Sequence, residues 1–392
     1  MTQSFQPPKR ILMGPGPSDV HHRVLEAMAR PTIGHLDPAF IGMMDQVKAM
    51  LQTAFFTGNA LTLAVSGPGS AGMEACFVNL IEPDETVVVC VNGVFGGRMK
   101  ENVERCGAKA VVVEDAWGTP VDPDKVEAAL KANPGVKALA FVHAETSTGV
   151  ESDARTLCEL AREYGALSIV DAVTSLGGIP VLVDPWGADA VYSGSQKCLS
   201  CTPGLSPVTF SDRAVEALAA RKTKVRSWFL DFSLLTAYWG GGAKRAYHHT
   251  APINALYGLH ESLVMLHEEG IEQSWTRHTM MHRALLAGLE AMGLGLLVAE
   301  GARLPQLNAV LVPAGIDEAA ARTQLLQKYG LEIGAGLGGL AGKVWRIGLM
   351  GQSATPRHVA TCLDALEDVL AAQGVKLPTG AGVAAAERML RD

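Results

Sequence analysis

Lys197 has unusual neighbours for a charged residue, because the flanks "YSGSQ" and "CLSCTPG" are small and largely apolar. A lysine drawn out of water holds its proton less tightly, and its free amine is a nucleophile able to condense with a carbonyl group. Asp171 follows the apolar run "LSIV", so a carboxylate sits just past a buried-type strand. Thr146, in "HAETSTG", adds a hydroxyl. Upstream, "SGPGSAGMEA" contains Gly67-Pro68-Gly69-Ser70-Ala71-Gly72, a match to G-x-G-x-x-G at the start of a helical pattern. Free N–H groups and the positive dipole end of such a helix attract a phosphate.

The glycine pattern is shared with dinucleotide-binding turns. Those need an acidic residue about 20 positions on, at the end of the next strand, for the ribose hydroxyls. Here that strand is "TVVVCVN", and it ends in Asn92, while Glu82, Asp84 and Glu85 precede it. One phosphate therefore suits the turn better than a nicotinamide or flavin dinucleotide. Amine, carboxylate, hydroxyl and phosphate turn together describe a pyridoxal phosphate site, with lysine on the aldehyde, aspartate on the ring nitrogen and phosphate on a helix N-terminus. Plainer readings stand beside this one: Asp171 as a helix N-cap, Lys197 as an ion-pair partner, Thr146 as a turn residue, and the glycine turn as a ligand-free connection.

These residues need a frame that brings them together. Strand patterns at 61–66, 86–91, 108–114, 137–143, 166–173, 188–194 and 206–211 alternate with helical patterns at 70–81, 95–106, 122–133 and 151–164. Asp122 caps the third of these helices and Pro123 begins it. The alternation predicts an α/β domain with a mostly parallel sheet covered on both faces. In such a sheet ligands lie outside the carboxyl ends of the strands, where Gly69-Ser70, Glu145–Thr148, Asp171 and Lys197 all fall. Beyond about 255 the pattern changes. One long helical stretch is expected over 254–293, then short strands near 307–312 and 344–348. A last strong helix, capped by Thr355 and begun by Pro356, carries the stripe Val359, Cys362, Leu363, Leu366, Val369 and Leu370 and stops at Gly374. This predicts an arm over 1–20, a large domain over 21–255 and a smaller α+β domain over 256–392.

The bulk composition narrows the partners. The 392 residues are 48% hydrophobic and 19% charged, with net charge −7 and no basic run. That supports a large core and argues against nucleic acid and anionic membranes. No apolar stretch reaches membrane-spanning length and the start does not read as a signal peptide, so the expected location is cytoplasmic. Seven scattered cysteines do not read as a disulfide framework. Cys198-Leu-Ser-Cys201 lacks a second pair and reads as packing, and no metal is expected.

The segments "GPGPSDVHHRVLEAMARPTIGHLDPAF", "SGPGSAGMEA", "NGVFGGR", "HAETSTGV", "VDAVTSLGG", "YSGSQKCL", "RKTKVRSWFLD", "YHHTAPINALYGLHESL" and "VWRIGLMG" together resemble the class-V aminotransferases of fold type I. Within them, they resemble the alanine–glyoxylate and serine–glyoxylate family. The resemblance covers nearly the whole chain. It implies the pyridoxal-phosphate transferase fold, with a seven-stranded sheet and a smaller C-terminal domain. It also implies a transaminase that moves the amino group of alanine or serine to glyoxylate in a homodimer with shared active sites. Ureidoglycine–glyoxylate and pyridoxamine–pyruvate transaminases are related alternatives, and a nicotinamide oxidoreductase is the reading from another class.

By the same resemblance, Lys197 binds the cofactor and shuttles a proton. Asp171 holds the ring nitrogen, Thr146 the ring oxygen, and Gly69, Ser70 and Gln196 the phosphate. Phe95 stacks on the ring where some members have tryptophan, and Ser70 stands where the mammalian alanine–glyoxylate enzymes have histidine. Arg346 takes the substrate carboxylate, and Tyr247 and Thr250 reach the phosphate of the partner subunit. His35, in "IGHLDPAF", and Asn254 are candidates for donor specificity. Glutamine is associated with the His35 position in ureidoglycine-type members.

Overall fold

A computed structural model of the chain describes residues 2–240 and 245–391. Among them, seven strands form the main sheet: β1 (Leu61–Ser66), β2 (Thr86–Val91), β3 (Lys109–Glu114), β4 (Ala138–Val142), β5 (Leu167–Asp171), β6 (Ala190–Tyr192) and β7 (Leu205–Phe210). The spatial order is β1-β7-β6-β5-β4-β2-β3. Every pairing is parallel except the two made by β7, which runs against both β1 and β6. Central strands β4, β5 and β6 are buried along their whole length, as continuous apolar runs require when helices cover both faces. Edge strand β3 is exposed at Lys109, Val112 and Glu114 and buried only at Val113.

Register sets up the site. Val142 pairs with Asp171 and Asp171 with Tyr192, so three strands end in one row. The loops that leave them, 143–149, 172–178 and 193–204, emerge side by side on one rim. The helix Gly69–Leu80 starts on the same rim and lies against β7. A Cβ at Gly72 would collide with the Ser206 side chain and crowd Tyr192. The third glycine of the motif thus serves close helix–sheet packing, as glycine alone can.

The smaller unit has a three-stranded antiparallel sheet, Leu307–Leu311 against Val344–Gly348 against Gly334–Ala335. It is backed by helices Ile271–Ala291, Glu318–Tyr329, Pro356–Ala372 and Ala381–Arg391. The stripe expected on Pro356–Ala372 is buried in full, and the Thr355 hydroxyl accepts from the His358 N–H. The final helix, Ala381–Arg391, packs on Ile271–Ala291 and has no counterpart in the sequence reading.

Two boundaries differ from expectation. The stretch 254–293 is two helices, Ile253–Glu269 and Ile271–Ala291, because Gly270 takes φ +89° and interrupts the ladder. The helix Ile253–Glu269 buries Leu256, Leu259, Leu263 and Leu266 in the core of the large domain, so the cores divide near Gly270 rather than at 255. Nor is 1–20 a free arm along its length. Ile11–Leu12 pairs in parallel with Leu331–Glu332, and Met13 lies in the core of the small unit. No helix among the described residues is long and apolar enough to cross a membrane.

Candidate active site

Lys197 lies in the loop between β6 and β7. The loop is fixed by the Ser193 and Ser195 N–H groups, which donate to Pro207 and Leu205, and by Ser195 Oγ, which donates to the Thr202 carbonyl at 2.7 Å. Ser18 Oγ donates to the Lys197 carbonyl at 2.8 Å. The Lys197 side chain is 8% exposed and its ammonium donates to the Pro15 carbonyl. The neighbouring Gly16 has φ +106°, and a Cβ there would stand 2.5 Å from Nζ. Glycine is thus required both by the backbone and by the lysine. Burial, with the charge of Arg346 adding to it, pushes the Lys197 amine down to about 8. Among the described residues it makes no ion pair. The reading of Lys197 as an ion-pair partner therefore falls.

Asp171 ends β5 and is 2% exposed. Oδ1 accepts from the Val173 N–H at 2.8 Å and Oδ2 from the Tyr192 hydroxyl at 2.7 Å. No helix begins here, so the carboxylate is not an N-cap; it closes a turn and faces the rim. Burial pushes its pKa up to about 7, against the pull of these two hydrogen bonds and of Lys197.

The loop after β4 carries Glu145 and Thr146. Glu145 is fully buried. Its carboxylate accepts from Ser147 N and Oγ and from the N–H groups of Phe95 and Gly96. It thereby satisfies the N-terminus of the helix Val94–Arg105 and fixes half-buried Phe95, over whose ring Arg98 sits at 4.8 Å. Thr146 Oγ1 lies 2.5 Å from Thr174 Oγ1. The Thr146 carbonyl accepts from Arg346 Nη1 at 3.2 Å, and Arg346 Nε donates to the Ala335 carbonyl at 2.7 Å. Arg346 is buried, makes no ion pair among the described residues, and is pushed down to about 10 by that burial. Two backbone carbonyls thus hold Nε and Nη1 of a guanidinium that has no carboxylate partner among the described residues.

At the helix start, Pro68 is the cap and gives no side-chain hydrogen bond, so the N–H groups of Gly69 and Ser70 have no intrahelical acceptor. Gln196 Oε1 is buried with no hydrogen-bond partner, close over Gly194. The free N–H groups fit a phosphate, and Gln196, whose oxygen has no donor here, would serve it by turning its amide nitrogen toward it.

The remaining expected residues lie apart. Asn254 spends its amide on the carbonyls of Met28 and Arg30, both at 2.8 Å, and its Oδ1 accepts from Thr32. It clamps the 28–32 segment, and nothing ties it to Lys197. His35 packs 5.1 Å from the Tyr247 ring, with Nε2 buried and unpartnered. Tyr247 is 61% exposed and Thr250 is exposed. Their segment is anchored where His249 Nε2 meets Ser66 Oγ at 2.7 Å, one residue before the glycine turn. Cys198 and Cys201 are buried free thiols, pushed by burial up to about 12 and about 11, and Cys198 Sγ donates to the Thr174 carbonyl.

Sequence reasoning missed Tyr192, Thr174 and the Pro15 carbonyl. All three belong to quoted motifs, but only the register that sets Asp171 beside Tyr192, and the packing of the loops after β4 and β5, give the first two a partner.

The family described as Aminotransferase class-V matches residues 16–347. The chain is 42% identical to alanine–glyoxylate aminotransferase of Oryctolagus cuniculus, over 93% of each chain. Among solved structures it resembles alanine–glyoxylate aminotransferase from Nostoc sp., with a TM-score of 0.92 and 45% identity over 94% of this chain and 97% of that one. It also resembles ureidoglycine–glyoxylate aminotransferase from Bacillus subtilis, with a TM-score of 0.97 and 38% identity over 100% of both chains.

Proposed function

Because the chain belongs to the class-V aminotransferases, we propose that it uses pyridoxal phosphate to move an amino group from a small amino acid, alanine or serine, to glyoxylate, giving glycine. The observation that carries this is Lys197, a buried amine with a lowered proton affinity on the rim that Asp171 also faces. Family membership and Asn92, whose amide donates to the Thr119 carbonyl, leave the nicotinamide reading without support.

Bound pyridoxal phosphate supplies an aldehyde and a ring that accepts the electron pair of a breaking Cα–H bond. The chain's residues do the rest. The Lys197 amine would hold the aldehyde carbon, with loss of water, and, once the substrate's amino group has displaced it, would carry a proton to and from the substrate carbon. Asp171, which Val173 and Tyr192 orient, would give its proton to the ring nitrogen or pair with the protonated nitrogen, and so keep it protonated. Gly69, Ser70 and Gln196 hold the phosphate, Thr146 the ring oxygen, and Phe95 covers one ring face.

Arg346 would present its remaining Nη donors to the substrate carboxylate. Arg346→Lys is expected to raise KM for both the amino acid and the oxo acid by about 10- to 100-fold, the worth of a charged bidentate pair. Both substrates carry that carboxylate, so steady-state kinetics showing a rise for only one of them contradicts the role.

The donor is tested by supplying alanine, serine and (S)-ureidoglycine in turn with glyoxylate to the cofactor-loaded protein and measuring glycine. Ureidoglycine is the second reading, favoured by the full-length likeness to the Bacillus subtilis structure. No glycine from any of the three refutes the proposal.

A homodimer with shared sites is the proposed assembly. Trp228 is 63% exposed and stacks on His248, close to exposed Phe229 and Tyr247, which makes an aromatic surface beside the glycine turn. Tyr247 and Thr250 then serve the neighbour's phosphate, and His35 travels with Tyr247. Co-refolding Lys197→Ala with a chain changed at both Tyr247 and Thr250 makes about half the dimers mixed. Each mixed dimer has one complete site, so roughly a quarter of all sites should recover. Activity no greater than the sum of the separate mutants, with mixed dimers demonstrated, contradicts the sharing.

A further inference from the structure

Thr174 is wholly buried, and among the described residues its hydroxyl has one hydrogen-bond partner, Thr146 Oγ1 at 2.5 Å. That separation is at the short end of the O–H···O range. The residue is held from behind: its carbonyl accepts from Gln306 Nε2 at 3.1 Å and from the Cys198 thiol at 3.4 Å. A β-branched side chain on a fixed backbone has few rotamers, so the hydroxyl keeps its place.

Each hydroxyl carries one proton. If Thr146 gave its proton to Thr174, the Thr174 proton would be buried without an acceptor, and Thr146 would have none for a ligand. If Thr174 gives its proton to Thr146, the Thr146 proton is free to meet an anionic oxygen in the site, and both donors are satisfied. We propose that Thr174 is a positioning residue, donating to Thr146 Oγ1 so that the Thr146 hydroxyl points its proton at the ring oxygen of pyridoxal phosphate. This rests on the cofactor reading above. Donation into Oγ1 also polarises Thr146 and makes it the stronger donor. A stronger donor stabilises negative charge on the ring oxygen. That favours loss of the proton from the nitrogen joining Lys197 to the cofactor, so the visible absorption band titrates at lower pH.

The experiment is a pH titration of that band in the cofactor-loaded protein. Thr174→Val keeps volume and removes the hydroxyl. It should raise the midpoint by about 0.5 unit, part of the worth of one hydrogen bond. Thr174→Ala should shift it the same way, and Thr174→Ser should restore it. In a Thr146→Val background, Thr174→Val should add nothing, because the path runs through Thr146. An unmoved midpoint in the Val and Ala variants overturns the inference, and so does an undiminished shift in the Thr146→Val background. A wild type that takes up pyridoxal phosphate with no visible band refutes the cofactor reading, and the inference falls with it. The two failures are therefore distinct.

Discussion

Lys197→Ala is expected to end turnover, a loss of at least about 10,000-fold in kcat, because in the proposed function it removes both the nucleophile and the proton carrier. Cofactor remains bound only through the phosphate turn and the ring contacts, and is lost on dialysis. In wild type, borohydride should fix the cofactor to the peptide that contains Lys197. Label on another lysine contradicts the assignment. The amine's position near 8 adds a pH test. Only the neutral amine attacks, so capture of pyridoxal phosphate by the cofactor-free protein should quicken as pH rises through about 8 and then level off. Rapid-mixing absorbance follows it directly. A capture rate that is flat from neutral pH upward would mean that the buried amine is not the attacking group.

Asp171→Asn should cost about 1,000-fold or more in kcat, since a neutral amide does not keep a pyridine nitrogen protonated. Its effect on the cofactor-free protein has the opposite sign. The folded carboxyl is raised to about 7 from an ordinary 3.8. The folded state therefore holds this proton over a pH range where the unfolded chain has released it, and stability falls as pH climbs through that range. Above pH 7 the buried carboxylate weighs fully against folding. Asparagine removes that burden while keeping the geometry: its carbonyl still accepts from Val173 N–H, and Tyr192 turns from donor to acceptor. Urea unfolding of the cofactor-free proteins should find Asp171→Asn more stable than wild type at pH 8, by up to about 4 kcal/mol, and little different at pH 4. A variant less stable than wild type at pH 8 would mean that the carboxylate is a structural asset and not a group held for a ligand.

What the sequence disclosed follows from what is local. β1 to β7 are short apolar runs set off by helices or, between β6 and β7, by a loop of small residues, and each expected strand exists within a few residues. Asp122, Thr355 and Pro356 act through neighbours two or three residues away, which a pattern can register. Asp171, Thr146 and Lys197 were legible because strand ends in a parallel sheet share one rim. The partners of these side chains were not. Tyr192 and Thr174 meet Asp171 and Thr146 through register and loop packing, and nothing in their own spacing marks them. Asn254 looked free because its three partners at 28–32 lie more than 220 residues away. Gly270 was hidden by the apolar period, which runs unbroken across it.

The segment 11–19 holds a consequence for how the enzyme is made. Pro15 meets the Lys197 amine, Ser18 the Lys197 carbonyl, Ile11 and Leu12 the strand at 331–332, and Asp19 the imidazole of His358 at 2.8 Å. Residues 11–19 therefore wait for residues 331–358, which are made more than 300 residues later. A nascent chain that has emerged only to residue 300 already holds Lys197, Asp171 and the whole main sheet. It still lacks Arg346 and two of the anchors that draw residues 11–19 into position. The Lys197 amine is thus fully enclosed only once residues 331–358 are there to fix residues 11–19, long after the main sheet that carries it has been made.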